Sequence, residues 1–151
     1  MRKIKQVVKK NPLFFAFFFP ALVDGMATLL GQGFQYWDSS QRIINEASPA
    51  YYFLLASPWL FVLGSFIWFI FWYWMFKRLK EPLNLFLAIL FIAGHSWGSS
   101  GWLMKIFKSC GLYTIDNQPS IIFAWSLLIV YFISIAAIAT YCLRVYLRRS
   151  P

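Results

Sequence analysis

Charge is what this chain has least of. Only 13% of its 151 residues are Asp, Glu, Lys or Arg, against about a quarter in an ordinary soluble domain. So little charge cannot cover a water-facing surface, which excludes a soluble globular enzyme and a disordered tail. Cysteine is scarce too. Cys110 and Cys142 are the only two, which excludes a disulfide-stapled secreted module, and no C-x-x-C spacing offers a metal or redox motif. Histidine occurs once, as His95, so the paired axial ligands of a bis-histidine haem are absent. No repeat, low-complexity tract or linker divides the chain, and residues 1–151 read as a single integral membrane domain.

What the chain does have is apolar and aromatic bulk: 60% hydrophobic residues, with Phe, Tyr and Trp making up 22%. Crossing a hydrocarbon layer about 30 Å thick takes roughly 20 helical residues. Four stretches are long enough, at about 12–32, 49–76, 82–104 and 119–143. The predicted fold is therefore all-α, a bundle of four transmembrane helices. Each stretch opens on a proline at or near its first turn, where the missing N–H costs nothing. Asn11 and Ser48 stand directly before two of those prolines, as N-caps would.

The basic residues orient the bundle. Arg2, Lys3, Lys5, Lys9 and Lys10 precede the first helix, Lys77, Arg78 and Lys80 lie between the second and third, and Arg144, Arg148 and Arg149 end the chain. That sets 11 on one side against three on the other, Arg42, Lys105 and Lys108. The positive-inside rule then predicts both termini in the cytoplasm, and a bacterial inner membrane fits a compact chain without an organelle presequence. The net charge of +9 reads as orientation and anionic-lipid contact, with no nucleic acid as partner. The first 23 residues imitate a signal peptide, but Asp24 follows and no A-x-A site does, so an uncleaved first helix is expected. Cys110 and Cys142 fall at opposite faces, too far apart to bridge.

In the outer loop, Asp38 followed by Gln41 fits a capping box. Continuing through Arg42, Ile43, Ile44 and Asn45, it predicts a short helix on the outer membrane surface, beside Phe34, Tyr36 and Trp37. Phe14, Phe15, Phe17, Phe18 and Phe19 surround the first helix rather than forming a stripe, and residues 68–74 are almost wholly aromatic. Contact with lipid or with another subunit is the expectation for both, ahead of a pigment or quinone.

Asp24 is the most informative residue. An ionisable group inside a membrane helix costs several kcal/mol, roughly 2.5–3.5 on insertion scales, and faces protein or water. Pro20, Thr28 and Gly31 share its helix face. Counting about 1.5 Å per residue from Pro12 and Pro82 puts Asp24 and His95 at the same depth, some 18–20 Å from the inner face. Ser57 and Ser126, counted inward from the outer face, reach a similar level. Asp24, Thr28, Ser57, His95, Ser99 and Ser126 are thus predicted to form one polar layer, beside Gly94, Gly98 and Gly101, a small face suited to close packing. Glu46 and Asp38 lie outside it in the outer loop. The layer has several readings: a buried hydrogen-bond cluster, a binding cavity or proton path, a metal site with Glu46 or Asp38, or a Ser–His–Asp hydrolase. One histidine with scattered carboxylates is thin support for a metal, and no nucleophile elbow or oxyanion signature supports catalysis. No catalytic residue, metal ligand or cofactor is assigned.

Asp24-Gly25-Met26-Ala27-Thr28, followed by Glu46-Ala47-Ser48-Pro49, resembles a family of small four-helix bacterial membrane proteins of uncharacterised function. Its members carry D-x-x-x-T late in the first helix and E-x-N-P before the second; here Ser48 takes the asparagine position. The resemblance covers about residues 20–60 and implies a four-helix bundle in which Asp24, Thr28 and Glu46 are shared polar positions. It implies no activity. Two functions are carried forward. One is a non-enzymatic accessory subunit that packs against membrane partners or itself. The alternative is a binding or transport module for a small polar ligand, proton or lipid headgroup around Asp24 and His95.

Overall fold

In a computed structural model, residues 2–38 and 42–148 are described. Seven helices follow one another: α1 (Arg2–Lys10), α2 (Pro12–Leu30), α3 (Phe34–Asp38), α4 (Ala50–Ala56), α5 (Pro58–Met75), α6 (Leu83–Ser109) and α7 (Gln118–Leu147). No strand occurs among the described residues. Four of the helices, α2, α5, α6 and α7, are long and apolar enough to cross a membrane. Prolines stand in the first turns of α2, α5 and α7. Asn117 caps α7 through Ser120 N–H at 3.4 Å. Asn11 occupies the N-cap position of α2 without capping it, and its Nδ2 instead donates to the Tyr73 carbonyl at 2.7 Å.

Two sequence expectations are corrected. The predicted helix over 49–76 is two helices, because Pro58 disfavours helical backbone at the residue before it. Ser57 is accordingly extended (φ −171°, ψ 144°), ends α4 and caps α5. The surface helix predicted onward from Asp38 instead precedes it, as α3, and Arg42–Asn45 are irregular; Gln41, on which the capping box depended, lies outside the described residues. The basic segment ahead of the first predicted span forms a separate helix, α1.

The helices pack unequally. α2 and α6 run parallel, meeting in register from Phe17–Phe91 through Asp24–His95 to Gly31–Trp102. α7 runs antiparallel against both, with Tyr131 beside Phe19 and Ser99 and Tyr146 beside Asn84. One end of the bundle collects α1, the α5–α6 turn and the end of α7, tied by the Asn11–Tyr73 bond and by Tyr146 donating to Glu81 at 2.6 Å.

At that end lies the aromatic core. Phe17 is fully buried, with ring centroids 5.1 Å from Phe91, 5.2 Å from Phe76 and 5.9 Å from Trp68. Phe14 meets Tyr73 edge-on at 5.2 Å, and Trp72 meets Phe91 at 4.6 Å. Here the expectation of lipid contact is half overturned. Phe14 and Phe17 are core residues, and Trp68, Phe69, Trp72 and Tyr73 pack half-buried against them, while Phe71 and Trp74 on the other face of α5 stay exposed. Edge-to-face ring pairs add about 0.5–1.5 kcal/mol each beyond area burial, so α5 is fastened at this end. Phe61, near its first turn, is the only residue of α5 that is buried, against Tyr36 and Leu54. Towards the other end α5 stands away from α2 and α6.

The tightest approach elsewhere is at Gly31, where a Cβ would strike the Trp102 ring and the Ala27 carbonyl oxygen; Gly25 and Gly101 face open space. Gly31→Ala should therefore destabilise the bundle by about 1–3 kcal/mol through overpacking. Gly25→Ala and Gly101→Ala should unfold near wild type in a thermal scan in detergent.

Candidate functional site

Where α5 leaves the bundle, a cleft of about 920 Å³ opens between it and the α2–α6 pair. Phe18, Phe66, Phe69, Ile70, Leu90 and Phe91 line its apolar part. Its opposite end is closed by Glu46, Ser48 and Pro49 and by Ala50 and Phe53 of α4. Leu22, Met26, Phe66, Ile70 and Leu90 at the rim are exposed side chains of spanning helices, so the cleft opens sideways from the bundle. Size and lining match those of a small-molecule site.

The loop that closes the cleft is held by polar contacts. Gln32 bridges it to α2, donating from Nε2 to the Thr28 carbonyl at 2.9 Å and accepting from the Asn45 N–H at 3.1 Å. Arg42 donates to the carbonyls of Ala56 (2.8 Å) and Leu55 (3.3 Å), occupying the open C-terminus of α4 where Ser57 breaks the helix. Tyr36, buried on α3, donates to the Leu54 carbonyl at 3.1 Å. Burial pushes that hydroxyl above its ordinary value, against a smaller lowering by Arg42.

At the back of the cleft Asp24 meets His95, with Oδ2 and Nδ1 2.8 Å apart. Their side chains keep 20% and 26% exposure, directed at the cleft they line. Gly98 makes this contact possible: a Cβ there would lie 2.8 Å from Asp24 Oδ1 and 3.1 Å from Oδ2. Trp68 and Phe91 wall the imidazole, at centroid distances of 5.3 and 6.2 Å. An ionised carboxylate only accepts, so Nδ1 carries the shared proton whenever Asp24 is charged.

Of the predicted layer, the structure brings Asp24, Thr28 and His95 to this one cleft, and Glu46 joins them from the loop. Ser99 is fully buried on another face of α6, bonded to the His95 carbonyl and to Tyr131 Oη, both at 2.6 Å. Ser57 is spent as a cap and does not line the cleft. Ser126 is exposed and bonded to the Ile122 carbonyl of its own helix, and Asp38 is exposed at the end of α3. Equal depth thus placed the residues at one level without saying which way each faces. Gly98 alone of the three helix-six glycines is a close approach; Gly94 and Gly101 have open space at Cβ. Sequence reasoning missed Tyr131, Gln32 and the aromatic wall at Trp68. The first two are single polar residues with no distinguishing spacing.

Set against models of protein families, curated proteins and solved structures, the chain matches none. The chemistry is therefore read from the cleft itself. Among the described residues no group of three or more His, Cys, Asp or Glu side chains could hold a metal ion. Both cysteines are free, Cys110 exposed and Cys142 buried.

Because His95 is the only histidine, its ring nitrogens give a single pair of NMR signals. Asp24→Asn should move them strongly, Gly98→Ala should move them by displacing the carboxylate, and Asp38→Asn should leave them in place.

Proposed function

We propose that this chain is a multi-pass membrane protein whose cleft binds a small amphipathic molecule entering sideways from the bilayer. One observation carries the reading. Asp24, Thr28 and Glu46, the polar positions of the motifs resembling the four-helix family, line a single apolar-walled cleft together with His95. A purely structural hydrogen-bond cluster would be enclosed by packing, whereas this pair stands at the wall of a cavity large enough for a small molecule. Polar groups exposed to hydrocarbon are costly, and an occupant with a polar head satisfies them.

In this reading the end carrying α1, Lys77, Arg78 and the last turn of α7 faces the cytoplasm of a bacterial inner membrane. The polar end of the cleft then lies in the outer half of the bilayer, and its apolar end reaches into the inner half. α7 at 30 residues and α6 at 27 exceed a 30 Å core and reach the headgroups or tilt. Lys77 over Tyr73 and Arg78 over Trp74, at 4.6 and 3.7 Å from the ring centroids, suit the inner interface.

The accessory-subunit reading has its own support in the outer face of α5. Leu63, Ile67, Phe71 and Trp74 form an exposed surface there, open to lipid, to a partner subunit or to a second copy.

Native mass spectrometry after gentle extraction separates the two readings. Gly94 lines the cleft and has open space at Cβ, so Gly94→Trp should fill the cleft with the bundle intact. A small-molecule adduct on wild type that is missing from Gly94→Trp is expected. Other subunits at fixed ratio, with no such adduct, would favour the accessory role.

A further inference from the structure

The charge and the shape of the cleft together specify the head of its occupant. The cleft is divided lengthwise. Thr28, Asp24, His95, Glu46 and Ser48 lie towards the end closed by the loop, and the lining beyond them is hydrocarbon and aromatic down to Phe18, Ile70 and Leu90. Thr28 to Phe18 is ten residues of α2, about 15 Å of rise, enough for a stretched acyl-type chain of medium length. Among the described residues no Lys or Arg lines the cleft. Arg42, the nearest cation in the loop, has its guanidinium committed to the carbonyls of α4.

With both carboxylates ionised, the lining carries two negative charges when His95 is neutral and one when it is protonated. In neither state is it positive. Inside a bilayer an uncompensated carboxylate is expensive, and pairing with a cation relieves it. Glu46 already accepts the Ser48 N–H at 2.8 Å through Oε1, and Asp24 bonds His95 through Oδ2. A carboxylate offers about four lone-pair sites, so each keeps acceptor capacity for a donor in the cleft.

We infer that the occupant is a single-chain amphiphile with a protonated amine as its head, held near Asp24 and Glu46 with its chain lying against Phe18, Phe69 and Leu90. This rests on the binding reading above and adds the sign of the head to it. The site would discriminate against a fatty acid, whose carboxylate would meet like charges, and would hold a fatty alcohol more weakly, since charge-assisted hydrogen bonds are about twice as strong as neutral ones.

The test uses the full chain in nanodiscs of zwitterionic lipid and measures equilibrium binding of radiolabelled dodecylamine, dodecanol and dodecanoate. Empty nanodiscs and Gly94→Trp nanodiscs give the bilayer background. Dodecylamine should bind above background and about tenfold tighter than dodecanol, with dodecanoate at background. Asp24→Asn and Glu46→Gln should each bring the amine down towards the alcohol; Glu46→Gln, in the loop, keeps the comparison open if Asp24→Asn fails to fold. Equal binding of amine and alcohol, both lost in Gly94→Trp, would overturn the head assignment and leave the cleft reading standing. No binding of any of the three above the Gly94→Trp background would overturn both. Preferential binding of dodecanoate would reverse the sign.

Discussion

A carboxylate inside hydrocarbon must find a partner, and in this protein it finds one across a helix interface. Asp24 on α2 reaches His95 on α6 at 2.8 Å because Gly98 leaves the space. That bond adds a polar register mark to two parallel helices whose other contacts named above, Phe17–Phe91 and Gly31–Trp102, are apolar. Around it the remaining structure falls into place. Phe17 and Phe91 pack on one side of it along the helices, and Gly31 and Trp102 on the other. α7 closes the far face through Tyr131 and Ser99.

The position of α5 follows from a different balance. Its aromatic face is locked into α2 and α6 at the end bearing Trp72 and Tyr73, where ring pairs are dense. At its other end the chain breaks at Ser57–Pro58 and turns away into α4. A helix fastened at one end and offset at the other leaves a wedge-shaped gap. The loop closing that gap is held by Gln32, Arg42 and Tyr36, each bonded to backbone. Cleft and polar pair are thus consequences of one arrangement: α2 presents Asp24 beside the gap that α5 leaves open.

Much of this was legible in the sequence. The four spans follow from hydrophobic length, and the common depth of Asp24 and His95 follows from the rise per residue, which is fixed whatever the packing. The facing of each residue was not legible, because a helix in lipid has no water side to orient it and its apolar residues encircle it. Hence Ser126 proved to face outward, Ser57 to serve as a cap, and Phe14 and Phe17 to form the core. The break at Pro58 was available from the chemistry of the residue preceding proline, yet hydrophobic continuity across 49–76 outweighed it. Gly98 could be named as small, but nothing in its spacing separated it from Gly94 and Gly101.

The claim on which everything else depends is that Asp24 and His95 hold each other and thereby hold α2 to α6. A double-mutant cycle in detergent tests it directly, comparing unfolding of Asp24→Asn, His95→Gln and the pair. Residues in direct contact show coupling of about 0.5–3 kcal/mol. The expected result is that the double variant loses less stability than the two single losses combined, by an amount in that range. Strictly additive losses would mean that the two side chains do not interact, and the site described here would have to be abandoned.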